Sequence, residues 1–221
     1  VEANRLYGYV SNTPANNVRE TITVIDNDKN VDVIIDECKT VVNKLNYEVR
    51  AVTDNELIDS GEVIGFEDSK KGKIARIKFA TDFSPSTEYA LKLTLVTDVS
   101  KKINYYTRIK FYSNESYIKE KINFVKDFHD MTIKKDEKLA MYIEPDAEAD
   151  NTSFAHVNIN SSFDSIVWGK LTPVLQTEVI PSIKEVNIET AAIVLEYYIK
   201  AKTETGLETY FVSEYYRVKH T

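Results

Sequence analysis

The stretch INYYTRIKFYSNESYIKEKINFVKDFHD, residues 103–130, changes its period halfway along. Ahead of Ser113, the apolar residues Ile103, Tyr105, Ile109 and Phe111 fall on alternate positions. Beyond Ser116, Ile118, Ile122, Val125 and Phe128 recur every third or fourth residue, and Phe124 and Met131 widen the stripe. Period two marks a half-buried strand, and period 3.6 marks an amphipathic helix. Ser113-Asn114-Glu115-Ser116 therefore reads as the joint between two modules, and it supplies N-cap side chains for the helix that follows.

Upstream of the joint, the alternation predicts strands over Thr21–Ile25, Val31–Ile35, Leu45–Val52, Ile74–Phe79, Tyr89–Val96 and Ile103–Tyr112. Leu45, Tyr47 and Val49 face one way and Asn46, Glu48 and Arg50 the other. Turn-forming runs such as Thr53-Asp54-Asn55, Lys70-Lys71-Gly72 and Ser84-Pro85-Ser86 separate the strands. Six or seven short strands of this spacing predict an immunoglobulin-like sandwich over residues 15–113. With no cysteine pair and no tryptophan there, the fibronectin type is expected. Residues 1–14, ending in the breaker Ser11-Asn12-Thr13-Pro14, form an extended lead-in.

Downstream, a second and shorter helix is expected over Lys135–Ile143, ahead of Pro145. Strands are then expected over Phe154–Ile159, Ser165–Trp168, Leu171–Val179, Val186–Ile188, Ala191–Ala201 and Thr209–Lys219. Helices followed by a long antiparallel sheet give residues 114–221 the layout of an NTF2-like or cystatin-like α+β domain. The fold class expected for the whole chain is mostly β with a small α+β part.

The last hairpin can be given a register from its pattern. Ala191, Ile193, Leu195, Tyr197 and Ile199 form one apolar face, and Tyr210, Val212, Tyr216 and Val218 form the matching set on the return strand. A slip of one residue would expose one set to water, so the two must pair. That pairing carries Glu214 onto the apolar face.

The 221 residues suffice for one large domain or two of about 110. With 43% hydrophobic and 29% charged residues, the chain has an ordinary globular composition. Its net charge of −7 and dispersed basic residues argue against nucleic acid, acidic polymers and anionic membrane surfaces as partners. Cys38 is the one cysteine, so no intrachain disulfide forms, and nothing beside it in sequence activates a thiol. No apolar run approaches the ~20 residues that span a bilayer, and no signal peptide is present. The chain starts at Val1 and stops directly after an alternating stretch, which reads as a piece of a longer protein.

Leu45-Asn46-Tyr47-Glu48-Val49-Arg50, Asn123-Phe124-Val125-Lys126-Asp127-Phe128-His129-Asp130 and Ser162-Phe163-Asp164-Ser165-Ile166-Val167-Trp168-Gly169 carry a resemblance. The chain is similar over nearly its whole length to an uncharacterised family of large, membrane-anchored bacterial proteins, in the region after an N-terminal anchor. That resemblance implies an extracytoplasmic location and membrane attachment only through an anchor outside the chain. It implies no activity.

Several clusters can be weighed for chemistry. Asp26, Asp28, Asn30 and Glu37 match four positions of a calcium-binding EF loop, but Val31 stands where that loop needs glycine. A solvated turn is the better reading. Asp146, Glu148 and Asp150 offer carboxylates to a hard cation, although acidic loops are usually just solvated. His129, His156 and His220 share no ligand spacing, so no metal site or cofactor is expected. His129 follows Val125 by one helical turn and should sit at the rim of the core.

Glu214 is the sharpest candidate. Apolar surroundings raise a carboxyl pKa toward general acid–base use, as in NTF2-like enzymes that pair an acid with a histidine. Bonding to a tyrosine or to His156 would instead make it structural. The paired tyrosines Tyr105-Tyr106, Tyr197-Tyr198 and Tyr215-Tyr216 each put one ring off their core. Tyr198 and Tyr216 are therefore candidates for ligand contact, against the plainer reading of sheet packing. Trp168 reads as a core anchor. Three Asn-X-Ser/Thr triplets, beginning at Asn114, Asn151 and Asn160, count for nothing if the source is bacterial.

The function expected is a non-enzymatic spacer or recognition region of a cell-envelope protein, with an unknown protein or glycan partner. The alternative is small-molecule or carbohydrate binding in a pocket, or on a tyrosine-rich face, of the second domain.

Overall fold

The computed structural model describes residues 2–36, 40–99, 102–113 and 116–220. Glu37, Cys38 and the Asn114-Glu115 part of the joint lie outside the described residues. The chain is mostly β, with 43% strand and 14% helix. It divides into two compact units: Asn4–Ile118 with Ser182–Glu189, and Val1–Ala3 with Lys119–Pro181 and Thr190–Thr221.

The first unit holds β1 (Ile22–Ile25), β2 (Asn30–Ile35), β3 (Val42–Ala51), β4 (Leu57–Val63), β5 (Glu67–Ser69), β6 (Gly72–Lys78), β7 (Glu88–Thr97) and β8 (Lys102–Phe111). One sheet runs β1-β8-β7-β3-β4, with β1 parallel to β8 and its other neighbours antiparallel; the second runs β2-β6-β5. The Asp26–Asn30 turn passes from the first sheet to the second, and Asp26 accepts the Asp28 N–H there. Alternation decides which side chains meet between the sheets. Leu45, Val49, Leu91, Leu93 and Ile109 from one sheet pack with Ile35, Ala75 and Ile77 from the other. The rings of Tyr47, Phe79, Phe83 and Tyr89 meet edge to face in succession, with centroids 5.2–5.5 Å apart.

Strands β4 and β5 lie outside the runs that alternation predicts. Neither shows a clean alternation, because β4 is an edge of its sheet and β5 is exposed throughout. Asp59 on β4 ties down the chain after β6, accepting the Ala80 N–H at 2.9 Å and the Thr81 N–H at 3.1 Å. Asp59→Ala should cost about 1 kcal/mol, the typical net worth of such bonds. Urea denaturation of the first unit measures it, and a change below ~0.3 kcal/mol would show that the bonds are dispensable.

Directly after the lead-in the chain makes a short 3₁₀ turn at Ala15–Asn17 and lies over the outer side of β8 and β7. Thr13 N–H donates to Tyr106 Oη at 2.9 Å, and Ala15, Val18, Ala90 and Tyr106 form a small apolar cluster. The outward ring of the Tyr105-Tyr106 pair is thereby buried.

In the second unit, α1 (Ile118–Lys134) buries Ile122, Val125, Phe128, His129 and Thr132 on one face. A 3₁₀ turn over Glu137–Tyr142, N-capped by Asp136, stands where the second helix was expected. Residues 154–159 form no strand, Phe163–Ile166 is the short helix α2, and the 171–179 run yields only β9 (Val174–Leu175). These apolar residues are irregularly placed: Phe154, Val157 and Ile159 stay exposed, while Ile166 and Val167 join Phe128, Leu139 and Ile143 in a core. β10 (Ser182–Val186) belongs to the first unit, where Asn4 accepts the Ile183 N–H and Tyr112 Oη donates to the Val186 carbonyl. β11 (Thr190–Lys202) and β12 (Leu207–Lys219) complete the second unit as a hairpin of thirteen consecutive pairs.

Candidate functional site: the two faces of the β11–β12 hairpin

The ladder sets Ala191 against Val218, Ile193 against Tyr216, Leu195 against Glu214, Tyr197 against Val212 and Ile199 against Tyr210. This is the register that the apolar pattern demands. Two faces follow from it, with different chemistry.

On the inner face, Glu214 meets the buried side of α1. Tyr197 Oη donates to Glu214 Oε1 at 2.5 Å, Tyr216 Oη donates to Oε2 at 2.6 Å, and His129 Nδ1 lies 3.2 Å from Oε2. An ionised carboxylate only accepts, so Nδ1 carries the proton and donates. The His129 ring also meets Tyr197 edge on, with centroids 4.9 Å apart, and Phe128 meets Tyr216 at 5.6 Å. The structure thus brings Glu214, His129 and Tyr216 together. It adds Tyr197, which the sequence reading assigned to the apolar face but not to the site. His156 is not among the partners of Glu214.

The electrostatics follow from that geometry. Burial pushes the Glu214 carboxyl upward, as apolar surroundings must, but the His129 bond and charge and the two tyrosine hydroxyls outweigh it. Its pKa therefore falls below the ordinary glutamate value, the opposite of the rise expected from sequence. Tyr197 and Tyr216 are pushed far above the ordinary phenol value, first by burial and then by the adjacent Glu214 charge. His129 Nε2 is buried without a hydrogen-bond partner among the described residues.

On the outer face, alternate residues of β12 and of β11 from Glu196 to Lys202 reach solvent, while Ala192 is buried. Tyr198 stands opposite Phe211 with ring centroids 5.3 Å apart and planes tilted by 56°; Tyr215 stands opposite Val194. Tyr198, Phe211 and Tyr215 are 47%, 57% and 63% exposed, so the three rings form a strip along the hairpin. The paired tyrosines 197-198 and 215-216 divide accordingly, one ring in the carboxylate cluster and one in the strip.

The other candidates lie apart. Asp146 accepts the Glu148 N–H, and Asp150 accepts from the backbone and hydroxyl of Thr152, which hold its pKa below the usual carboxylate value. These carboxylates serve their own turns. Among the described residues no three His, Cys, Asp or Glu side chains come together to hold a metal ion. In the first unit a half-open cleft of about 270 Å³ lies under the lead-in, with Ala15, Val18, Ala90 and Tyr106 in its lining. Its cations Arg50 and Lys92 both pair with Glu48.

No protein-family model matches the chain, and no curated protein matches it. No helix among the described residues is long and apolar enough to cross a membrane.

Proposed function

We propose that the chain is a non-enzymatic recognition region of a larger, membrane-anchored envelope protein, with its first unit as spacer and its hairpin as the contact surface. The observation that carries this reading is the strip of Tyr198, Phe211 and Tyr215, large rings held in solvent on a continuous hairpin. Exposed aromatic clusters are uncommon on surfaces with nothing to bind, and tyrosine gives contact area at low entropic cost. The inner face argues in the same direction. A carboxylate engaged by three donors and depressed in pKa is poorly suited to acid–base work at neutral pH, and well suited to hold the hairpin against α1.

The finer fold reading belongs to this proposal. Strand order β8-β7-β3-β4 against β2-β6-β5, with β1 running parallel beside β8, supports an immunoglobulin-like reading of the first unit. Such domains commonly serve as stacked spacers. For the second unit, α1 across the hairpin is the element shared with cystatin-like and NTF2-like folds. The strands over 154–179 that would curl such a sheet into a pocket are reduced to β9. The cleft under the lead-in falls below the ~300–1,000 Å³ of ordinary ligand sites, and Glu48 already neutralises one of its two cations.

Co-sedimentation of the chain with envelope material from its source cell tests the reading. Retention that falls about tenfold in Tyr198→Ala/Phe211→Ala, and is unchanged in Arg50→Ala, is the expected result. Equal retention of the wild type and the aromatic double variant would overturn it.

A further inference from the structure

The outer face of the hairpin carries more than its rings. Lys200 and Lys202 lie outward near one end of the ladder, and Arg217 and Lys219 near the other, with Glu196 the one outward carboxylate between them. All five are exposed. Among the described residues, Lys200, Lys202 and Arg217 make no ion pair. In a chain of net charge −7, this face is locally cationic. Arg217 and Lys200 lie 17 residues apart in sequence, and the antiparallel return brings them onto one face about 25 Å apart, at ~3.3 Å per residue. The ladder places these basic residues on one face, with one pair at each end.

The edge of the sheet adds a second feature. Among the described residues the one strand that pairs with β12 is β11, so the other side of β12 is a sheet edge thirteen residues long. It contains no proline, and its register shows no bulge. A strand edge presents a row of N–H and C=O groups that pairs with another extended chain unless something blocks it. Side chains of an added strand that project outward would lie beside Leu207, Phe211, Tyr215 and Arg217.

We propose that β12 receives an extended, acidic segment of a partner protein as an added strand, with apolar side chains beside Phe211 and Tyr215 and carboxylates near Arg217, Lys200 and Lys202. This rests on the recognition reading above and names its partner class. The 56° tilt between Tyr198 and Phe211 favours a peptide over a flat sugar ring, because the two rings offer no common plane.

The test uses the full chain and acetylated decapeptides that alternate glutamate with valine or phenylalanine. Lysine–valine peptides and polygalacturonate serve as comparison probes. Titration calorimetry should show binding of the glutamate peptides, weakening several-fold between about 50 and about 200 mM salt as the exposed charge pairs are screened. Lys200→Glu/Arg217→Glu should weaken it by about tenfold or more. Hydrogen exchange should show protection gained at alternate amides across Leu207–Lys219. Peptide binding without that protection, or lysine peptides binding equally well, overturns the added-strand proposal. Polygalacturonate binding in place of peptide also overturns it while leaving the recognition reading intact. Self-association of the free chain that protects the same amides assigns the edge to a second copy and likewise overturns it. No binding by any probe, together with no retention on envelope material, removes both.

Discussion

Glu214→Ala is expected to destabilise the second unit by about 3 kcal/mol. The substitution removes the common acceptor of Tyr197 Oη, Tyr216 Oη and His129 Nδ1. Each buried donor left without a partner costs about 1–3 kcal/mol. The Glu214 side chain is 18% exposed, so water can enter the vacated space and relieve part of that cost. Glu214→Gln keeps the shape and one acceptor, and should lose only about 1–2 kcal/mol. The three donors share one acceptor, so their effects are not additive: in a Tyr197→Phe/Tyr216→Phe background, the Glu214→Leu change should cost far less than in the wild type. Urea unfolding followed by tyrosine fluorescence reads all of these. A wild-type midpoint for Glu214→Ala would mean that the cluster holds nothing.

The same cluster sets two pH limits. The folded Glu214 pKa lies below its unfolded value, so its contribution is present above about pH 4.3 and is lost as pH falls through the folded value. Tyr197 and Tyr216 lie above their unfolded values; their contribution is complete below about pH 10 and drains away as pH rises beyond it. Glu214→Gln should flatten the acid limb. On the alkaline limb, Tyr197 and Tyr216 should ionise only when the unit unfolds, as a late step in tyrosinate absorbance.

The hairpin was legible in the sequence because a one-residue slip inverts every side chain, and only one pairing buries Ile193, Leu195 and Tyr197 with Tyr216 and Val218. Alternation cannot show what lies above a sheet. The approach of His129 to Glu214 spans 85 residues and depends on which turn of α1 crosses the hairpin. The stretch 154–179 misled for a related reason. Val157 and Ile159 alternate but Phe154 does not continue the pattern, and among the described residues no named strand pairs with this stretch. β4 and β5 were silent because an edge strand or an exposed one need not bury a regular face. The basic residues of the outer face could not be seen together in the sequence, since Lys200 and Arg217 come onto one face only after the chain reverses at residues 203–206.

Gly72→Ala should be the most damaging single-methyl change in the first unit, costing about 3–4 kcal/mol. Gly72 opens β6 at φ +126°, a region that L side chains rarely adopt, with strain on the order of 1–3 kcal/mol. An added Cβ would stand 2.2 Å from the Ile35 carbonyl oxygen and 3.0 Å from its carbon. Both atoms are backbone, so no rotamer relieves the clash. The last β2–β6 pair, Ile35 with Lys73, would have to open, and Ile35 is a buried member of the core. Gly206 separates the two causes. It has φ +139° in the β11–β12 turn but nothing within 4 Å of its Cβ position. Gly206→Ala therefore reports the conformational strain alone, about 1–2 kcal/mol. The excess at Gly72 measures the collision with β2. Equal costs at the two positions, in urea unfolding of each unit, would mean that β2 yields freely and that the close approach at Ile35 contributes nothing to holding the two strands in register.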